Sequence, residues 1–241
     1  MNLTNERIQR LYFEEKLSTR QIASRLGISQ STVTRALQGS SLRSKSEAAE
    51  LRYKPLSLDG SHAELAYLVG IYLGDGCLVR SSRTELLDIA CDSKYPDLIE
   101  RFSGLVSRVF GKSPTLHKDL FSNCVHIRLY GEGIGSILGF EPGPKKGRDL
   151  HIPSWITENE DWSRWCIRGL FETDGYMHHR HKRDRSVVVG FSNTNEMLLD
   201  EVQQLLYNLG YQTFRRSKTS VDCWQYDEAM RFVAEVGVDK R

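Results

Sequence analysis

Two nine-residue segments with the same ending recur 99 positions apart and constrain the fold of this chain more than any other feature. They are LVGIYLGDG at 68–76 and IRGLFETDG at 167–175. After each come a basic stretch, a strand-like run, an amphipathic helix, two more strands and a final helix. A period of about a hundred residues is too long for a solenoid. The repeat predicts two related α+β halves, at 61–150 and 151–241, in a pseudo-twofold arrangement.

The end of the second copy needs its own assignment. We expect its last two strands at Gln212–Phe214 and Cys223–Tyr226. Cys124 and Cys223 are also 99 positions apart, so we treat them as equivalent.

Small residues lie on one face of each motif helix. Gly70 and Gly74 are four positions apart, and so are Gly169 and Thr173. Small residues let two helix backbones approach closely. We therefore expect the two motif helices to pack against each other along the pseudo-twofold axis.

This packing would bring Asp75 and Asp174 side by side at the carboxyl ends of the two helices. Two adjacent carboxylates repel each other, and the negative ends of two helix dipoles add to the cost. A divalent cation would offset that repulsion, and Mg²⁺ prefers a few carboxylates, carbonyls and waters beside phosphate oxygens. The pair therefore predicts a metal site suited to phosphodiester hydrolysis.

The two segments and their matching downstream elements resemble the LAGLIDADG family of homing endonucleases, in its monomeric two-motif form. The resemblance extends from about Glu64 to the end of the chain. It implies an α+β fold with two pseudo-symmetric αββαββα repeats, whose saddle-shaped sheets bind DNA. It also implies a monomeric, site-specific double-strand DNA endonuclease that uses Mg²⁺, for which Mn²⁺ can substitute.

The resemblance assigns roles to particular positions. Metal ligation falls to the carboxylates Asp75 and Asp174 and to the carbonyls of Gly74 and Thr173. A basic residue near the end of each repeat takes part in catalysis, and the candidates are Lys145, Lys146 and Lys240. Polar residues at the ends of the second strands, Asp92 and Ser192, are expected to join a water network.

The strands and hairpins of the family read bases and phosphates. In the first repeat the implied DNA-binding residues are Arg80, Arg83, Lys118, His126 and Arg128. In the second they are His178, His179, Arg180, His181, Lys182, Arg183, Arg185, Arg215, Arg216 and Lys218. The histidine run lacks the spacing of a zinc site and has no cysteine pair beside it.

Two departures from the family pattern stand out. The sixth motif position is Leu73 in one copy and Glu172 in the other, which leaves the key carboxylates untouched. Lys240 is the penultimate residue. If it is loosely held, one half-site is weakened and nicking outruns double-strand cleavage.

The first 38 residues predict three short helices that resemble a helix-turn-helix DNA-binding domain. Ser18 with Gln21 forms a capping-box pattern, and Gly27 permits a left-handed helix end. The third helix would place Gln30, Ser31, Thr34 and Arg35 on base edges. The alternative is a small helical bundle used for protein contacts. Residues 39–60 predict a linker, which either follows phosphates electrostatically or is a solvated tether.

Charge distribution, cysteine content and hydropathy indicate the cellular compartment and the kind of partner to expect. The net charge is only +2, but residues 1–54 hold ten Lys and Arg against five Asp and Glu. Five scattered cysteines without a CxxC pair indicate reduced thiols, hence a cytoplasmic protein that associates with the nucleoid when it binds DNA. The longest apolar run is too short to cross a bilayer, and the polar N-terminus shows no secretory signal.

Two other functions are compatible with this fold. One is a non-cleaving DNA-binding transcriptional regulator, although regulators tend to lose the acidic pair that is present here. The other is an RNA-splicing maturase, which would bind RNA without cutting DNA.

Overall fold

The computed structural model of the chain describes residues 3–44, 47, 56–82, 84–179, 187–223 and 226–237. It divides into two compact units, Met1–Lys54 and Pro55–Arg241. The described part contains ten helices and eight strands. None of the described helices is both long enough and apolar enough to span a membrane.

Three short helices make up the described part of the first unit: α1 (Leu3–Phe13), α2 (Thr19–Leu26) and α3 (Gln30–Ala36). The predicted capping box is confirmed, because Ser18 accepts from the Gln21 amide and the Gln21 side chain accepts from Ser18. Gly27 ends α2 with a φ of 65°. All three helices contribute to a small core of Ile8, Leu11, Tyr12, Ile22, Ala23, Val33 and Leu37.

The described ends of the predicted linker are held by contacts, each with its own unit. The Arg43 guanidinium lies 3.9 Å from the centroid of the Tyr12 ring and donates to the carbonyls of Tyr12 and Leu17. At the other end, the Leu56 amide donates to the Glu132 carbonyl. These contacts anchor the described ends of the segment, and its role as a linker, with both alternatives, stays a prediction. Residues 45, 46 and 48–55 lie outside the described part.

The second unit contains two copies of one element order. The first copy comprises α4 (His62–Leu73), β1 (Gly76–Arg80), β2 (Glu85–Asp92), α5 (Pro96–Phe110), β3 (Thr115–Lys118), β4 (Cys124–Gly131) and α6 (Ile134–Leu138). The short helix α7 (Ser154–Thr157) connects it to the second. The second comprises α8 (Glu160–Asp174), β5 (Gly175–His179), β6 (Val187–Ser192), α9 (Glu196–Asn208), β7 (Phe214–Ser217), β8 (Ser220–Cys223) and α10 (Tyr226–Val236). The predicted order of helix, strand, strand, helix, strand, strand, helix is confirmed for both copies.

Each copy forms a four-stranded antiparallel sheet, in the orders β1-β2-β4-β3 and β5-β6-β8-β7. One hydrophobic core extends through both copies and contains the inward faces of both sheets and the buried faces of the helices. Because strand residues alternate between faces, the opposite face of each sheet is left for other contacts.

The register corrects two expectations about the second copy. The strand expected at Cys223–Tyr226 is found at Ser220–Cys223, three residues earlier, and Tyr226 begins α10, while residues 224 and 225 lie outside the described part. Cys124 pairs with Asp92, the last residue of β2, whereas the last residue of β6 pairs with Ser220. The structural equivalent of Cys124 is therefore Ser220. Equal spacing misled here because the β7–β8 turn is shorter than the β3–β4 turn.

Helices α4 and α8 pack directly against each other through small residues. A Cβ on Gly70 would overlap the carbonyl of Cys166, and a Cβ on Gly169 would overlap that of Tyr67. Farther along, a Cβ on Gly74 would overlap the Thr173 side chain. Any larger side chain at these glycines would therefore force the helices apart, as the small-residue faces predicted.

A buried carboxylate links the two copies beside this interface. Glu172 is 1% exposed. It accepts hydrogen bonds from the Tyr67 hydroxyl, from Arg101 Nη1 at 2.6 Å and from Arg168 Nε at 3.0 Å. Burial beside the negative Glu172 raises the pKa of Tyr67 well above its usual value. The unusual sixth motif residue of the second copy thus bridges α8 to α4 and α5.

Candidate metal centre and nucleic-acid interface

Each motif aspartate lies where an interface helix becomes a strand. Asp75 follows Gly74, the C-cap of α4, and Asp174 is the last residue of α8. In each copy the next residue is a glycine that starts the strand, and a Cβ there would collide with the preceding helical turn. The Asp-Gly ending therefore lets the chain leave the helix abruptly, so that the carboxylate lies at the helix end.

The two aspartates meet at the carboxyl ends of α4 and α8. The position that a Cβ of Gly74 would take is 3.5 Å from Asp174 Oδ2, and Asp75 is the residue after Gly74. Asp75 is exposed and Asp174 is half-buried. The structure thus brings one carboxylate from each copy to a shared, solvent-accessible edge of the helix interface.

Lys145 is the basic side chain that reaches this edge. Its Nζ donates to the carbonyls of Tyr72 and Leu73, both at 2.9 Å, and to that of Gly74. Burial lowers the pKa of Lys145, while the negative charges of Asp174 and Asp75 oppose that shift. The ammonium therefore caps the negative end of α4 while it faces both carboxylates.

The adjacent candidate Lys146 does not share this environment. Lys146 follows in sequence, but its side chain is exposed. Lys240 lies outside the described part of the chain. The tertiary structure thus distinguishes between two adjacent lysines that the sequence left equal.

Asn193 is a site residue that the sequence analysis missed. Its side-chain amide donates to Asp174 Oδ2 at 2.8 Å. The expected water-network residue next to it, Ser192, is exposed, and its counterpart Asp92 pairs with Lys94 at 2.9 Å. The sequence feature that could have predicted Asn193 is its position, because it is a polar residue one place beyond the end of β6.

Asn193 has a counterpart in the first copy at Ser93. Both residues donate their backbone amides to the turn before the last strand, Ser93 to Asn123 and Asn193 to Thr219. The copies therefore share the backbone arrangement at this position, although the residue there is serine in the first copy and asparagine in the second.

The donor set fits a hard divalent cation. It consists of oxygen atoms from two carboxylates at the negative ends of two helices. The Gly74 carbonyl already accepts from Lys145, so it would bind a cation only through its second lone pair. In the described part of the chain no group of three or more His, Cys, Asp or Glu residues is placed to hold a metal. Such a site would rely on the aspartates, water and ligand oxygens.

An acidic residue organises the outward face of the first sheet. Asp88 accepts from His126 Nδ1 at 2.8 Å and from Arg128 Nε at 2.9 Å. The predicted DNA-binding residues His126 and Arg128 are therefore held in place by a residue that was not predicted. Arg80 is likewise paired, with Glu85 at 2.5 Å.

Lys118 does not share this outward face. It pairs across the strands with Val125, which packs against the core, so Lys118 lies on the opposite face of the edge strand, where it is exposed. His117 takes the outward position beside His126.

In the second sheet an aspartate likewise contacts side chains of other strands. Asp222, 1% exposed, accepts from the Tyr176 hydroxyl and lies 3.5 Å from Arg216 Nη1. Gly190 makes room for this group, because a Cβ there would overlap both Tyr176 and Asp222. Arg215 is not on this face. It pairs across the strands with the buried Val221 and forms an ion pair with Asp200 on α9 at 3.3 Å.

Of the remaining predicted DNA-binding residues, the structure describes some and not others. His178 is exposed on β5 and Lys218 is exposed in the β7–β8 turn. Outside the described residues lie Arg83, Arg180, His181, Lys182, Arg183 and Arg185, together with the side chain of His179.

In the first unit, the four residues proposed to contact bases are all exposed on α3. The Gln30 amide donates to Thr19 on α2 at 3.0 Å, and Ser31 hydrogen-bonds to the helix cap Ser29 at 2.8 Å. The Thr34 hydroxyl donates to the Gln30 carbonyl. Arg35, in the last turn, is exposed.

Comparisons with known proteins match both the motif and the architecture. Residues 161–226 match the LAGLIDADG-like domain family. A structure of mesophilic variants of the homing endonuclease I-DmoI aligns with a TM-score of 0.53 at 17% identity, over 73% of this chain and 90% of the other. I-DmoI in complex with DNA and Mn aligns with a TM-score of 0.51 at 17% identity, over 75% and 99%.

A third structure is the N-terminal LAGLIDADG domain of DUF199/WhiA, with a TM-score of 0.50 at 15% identity, over 80% of this chain and 90% of the other. No curated protein sequence matches the chain significantly. At these identities the structural matches show a shared fold.

Proposed function

Because this chain has the two-repeat LAGLIDADG fold and carries a LAGLIDADG-like domain in its second repeat, we propose that it is a site-specific double-strand DNA endonuclease that acts as a monomer. Double-stranded DNA would lie across the outward faces of the two sheets. The scissile phosphates would lie over the edge where α4 and α8 end. Mg²⁺ would be the cofactor, and Mn²⁺ would substitute for it.

The observation that carries this proposal is the pairing of Asp75 with Asp174 at the α4–α8 interface. A fold that needed only stability would gain nothing from two carboxylates at the negative ends of two helices. Their cost is offset once a divalent cation is bound, so the pair points to a metal-dependent reaction.

The residues of this chain have separate tasks at the site. Asp75 and Asp174 would hold the cation, with the carbonyls of Thr173 and Gly74 beside them. When bound, the cation would lower the pKa of a water molecule and stabilise the attacking and leaving oxygens. Asn193 fixes the orientation of Asp174. Lys145 adds a positive charge beside the carboxylates, where a phosphate would approach.

The outward faces of the sheets would supply DNA contacts. His126 and Arg128 are fixed by Asp88, and Arg216 lies against Asp222. A charged group that is already oriented loses less conformational freedom on binding. These groups would therefore contribute specificity, while the exposed α3 residues of the first unit would add contacts at a second location on the DNA.

Selection of cleaved sites from a random-sequence duplex library tests this function and identifies the target sequence in the same experiment. The full chain is incubated with the library in Mg²⁺ and, in parallel, in Ca²⁺. A recurrent cleaved sequence is expected in Mg²⁺, and binding without turnover in Ca²⁺. Cleavage of equal rate in both ions would argue against the metal mechanism.

Two substitutions connect the activity to the site. Asp75→Asn and Asp174→Asn keep side-chain volume but remove charge, so each is expected to abolish cleavage while affinity for the selected duplex is largely kept. Asp149→Asn, an exposed aspartate outside the site, serves as control. Cleavage that survives either motif substitution would refute the shared site.

A non-cleaving DNA-binding regulator is the second candidate, because the WhiA LAGLIDADG domain aligns over 80% of this chain. Recovery of a bound consensus without cleavage in either ion would favour the regulator. Binding to structured RNA, but not to duplex DNA, would instead favour an RNA-splicing maturase.

A further inference from the structure

The turn between β3 and β4 exposes two large apolar side chains. Leu120 is 89% exposed and Phe121 is 97% exposed, the largest values among the exposed large hydrophobic residues of the described chain. Each has lost almost none of its contact with water, so neither contributes appreciably to the core. Residues 119–123 are called the apolar turn below.

The apolar turn is held in shape by its own polar residues. Asp119 accepts from the Phe121 amide at 2.9 Å and from the Ser122 hydroxyl at 2.8 Å. The Asp119 amide donates to the carbonyl of Cys124, which closes the turn. An ordered turn presents its apolar side chains with a smaller entropy cost on binding.

The apolar turn lies at the same end of the first sheet as the metal centre. It directly follows the row in which Cys124 pairs with Asp92, and the amide of Ser93 donates to the carbonyl of Asn123. Asp75 directly precedes Gly76, the first residue of β1, which pairs with Ile89 three residues before Asp92, and it acts electrostatically on Cys91.

The second copy shows that the fold does not require an apolar turn here. The equivalent turn joins Ser217 to Ser220 through Lys218 and Thr219, and both of these are exposed and polar. An exposed Leu–Phe pair in only one of two pseudo-symmetric turns indicates a role outside folding.

We propose that Leu120 and Phe121 form an apolar wedge that packs against the bases of bound duplex DNA beside the cleavage site. This inference rests on the proposed function and deepens it. Phenylalanine and leucine are among the side chains that proteins insert at base steps, and stacking on an aromatic ring does not depend on base identity.

The surroundings of the wedge favour DNA over a protein surface. His117 takes the outward position of β3 two residues before the turn, and Lys94, which pairs with Asp92 at 2.9 Å on the neighbouring loop, keeps 62% of its side chain exposed. The one carboxylate inside the turn, that of Asp119, is engaged by the turn's own donors. The apolar pair therefore has basic side chains nearby, and the turn presents no unengaged carboxylate that would repel phosphates.

The wedge also makes the two halves of the site unequal. The first repeat would hold DNA by apolar contact near the cleavage site, whereas Lys218 of the second repeat would hold it by charge. Binding through the first turn should consequently be less sensitive to salt than binding through the second.

Site-specific photocrosslinking tests the wedge. The photoreactive analogue p-benzoylphenylalanine is placed at position 121 of the full chain, which is irradiated with a mixed-sequence duplex in Ca²⁺. The control places the same analogue at Tyr207, which is 72% exposed on α9. Crosslinks to DNA are expected from position 121 and not from position 207.

The affinity of Phe121 variants for duplex DNA provides a second test of the wedge. Phe121→Ala is expected to weaken duplex binding by about fivefold or more with an unchanged salt dependence, because a stacking contact releases no counterions. Phe121→Trp is expected to retain binding, and Tyr207→Ala to leave it unchanged. Since Phe121 is almost fully exposed, thermal unfolding should match that of the wild type.

These experiments distinguish a failure of the wedge proposal from a failure of the proposed endonuclease function. A chain that binds and cuts duplex DNA but gives no crosslink from position 121 would overturn the wedge alone. Crosslinking only to a second copy of the chain would assign the apolar turn to self-association and would also overturn it. Absence of any duplex binding would refute both.

Discussion

The side-chain amide of Asn193 donates a hydrogen bond to Oδ2 of Asp174 across 2.8 Å. This bond ties the motif aspartate of the second repeat to the loop between β6 and α9. The first repeat has Ser93 at the corresponding backbone position.

We expect Asn193→Ala to lower the cleavage rate by about 10- to 100-fold, the usual cost of losing a group that orients a metal ligand. Affinity for the selected duplex in Ca²⁺ should change little, because Asn193 acts on Asp174. Single-turnover cleavage at several Mg²⁺ concentrations measures this, and the variant should require more Mg²⁺. Ser192→Ala is the matched control, and a larger loss in that variant would contradict the assignment.

Lys145→Met is expected to abolish most cleavage and to lower the free energy of unfolding by about 1–3 kcal/mol, because it removes the ammonium that caps three carbonyls of α4. Lys146→Met should leave both properties close to wild type, since that side chain is exposed. Cleavage assays with urea titrations compare the pair. Equal loss of activity in both variants would show that the assignment to Lys145 is wrong.

Glu172→Gln should destabilise the second unit by about 3 kcal/mol, because two arginines and a tyrosine would keep their positions around a neutral group. This loss is at the low end of the range for breaking a buried ion pair, because Arg101 and Arg168 are partly exposed. All four tryptophans lie beyond residue 54, so tryptophan fluorescence in urea reports on this unit. Glu160→Gln, in an exposed pair with Arg164, should cost less than about 0.5 kcal/mol.

His151 provides a pH-dependent test. The hydrogen bond with Glu201 raises the pKa of His151 above its usual value. A raised folded-state pKa contributes stability below the unfolded pKa, and that stability is lost as the pH rises through the folded pKa. His151→Gln should therefore lower the melting temperature at pH 6 and have a diminishing effect above neutrality. A constant difference across this range would refute the linkage.

Removal of residues 1–54 is expected to weaken duplex binding and to reduce its salt dependence, because the basic first unit would no longer contact phosphates. Cleavage at a selected site should persist at higher protein concentration, since the aspartates lie in the second unit. Titrations at several salt concentrations provide the slope. An unchanged slope would exclude the first unit from the DNA footprint and favour a role in protein contacts.

Much of the fold followed from local signals in the sequence. The capping box at Ser18, the small residues of the motif helices and the order of strands and helices are short-range patterns, and each has a steric or hydrogen-bonding cause that acts within a few residues. The duplicated Asp-Gly ending also predicted that Asp75 and Asp174 lie together at the helix ends, because the periodicity of the small residues placed both helices at one interface.

The tertiary structure decided which neighbours each of these residues has. Lys145 and Lys146 are chemically alike, and only the path of the chain after α6 brings the first to the end of α4. Asn193, Asp88 and Glu172 acquire their partners across strands or helices, and such contacts have no fixed spacing in the sequence. The same holds for Arg215, which turns toward Asp200 on α9 because strand alternation gives it the inward face.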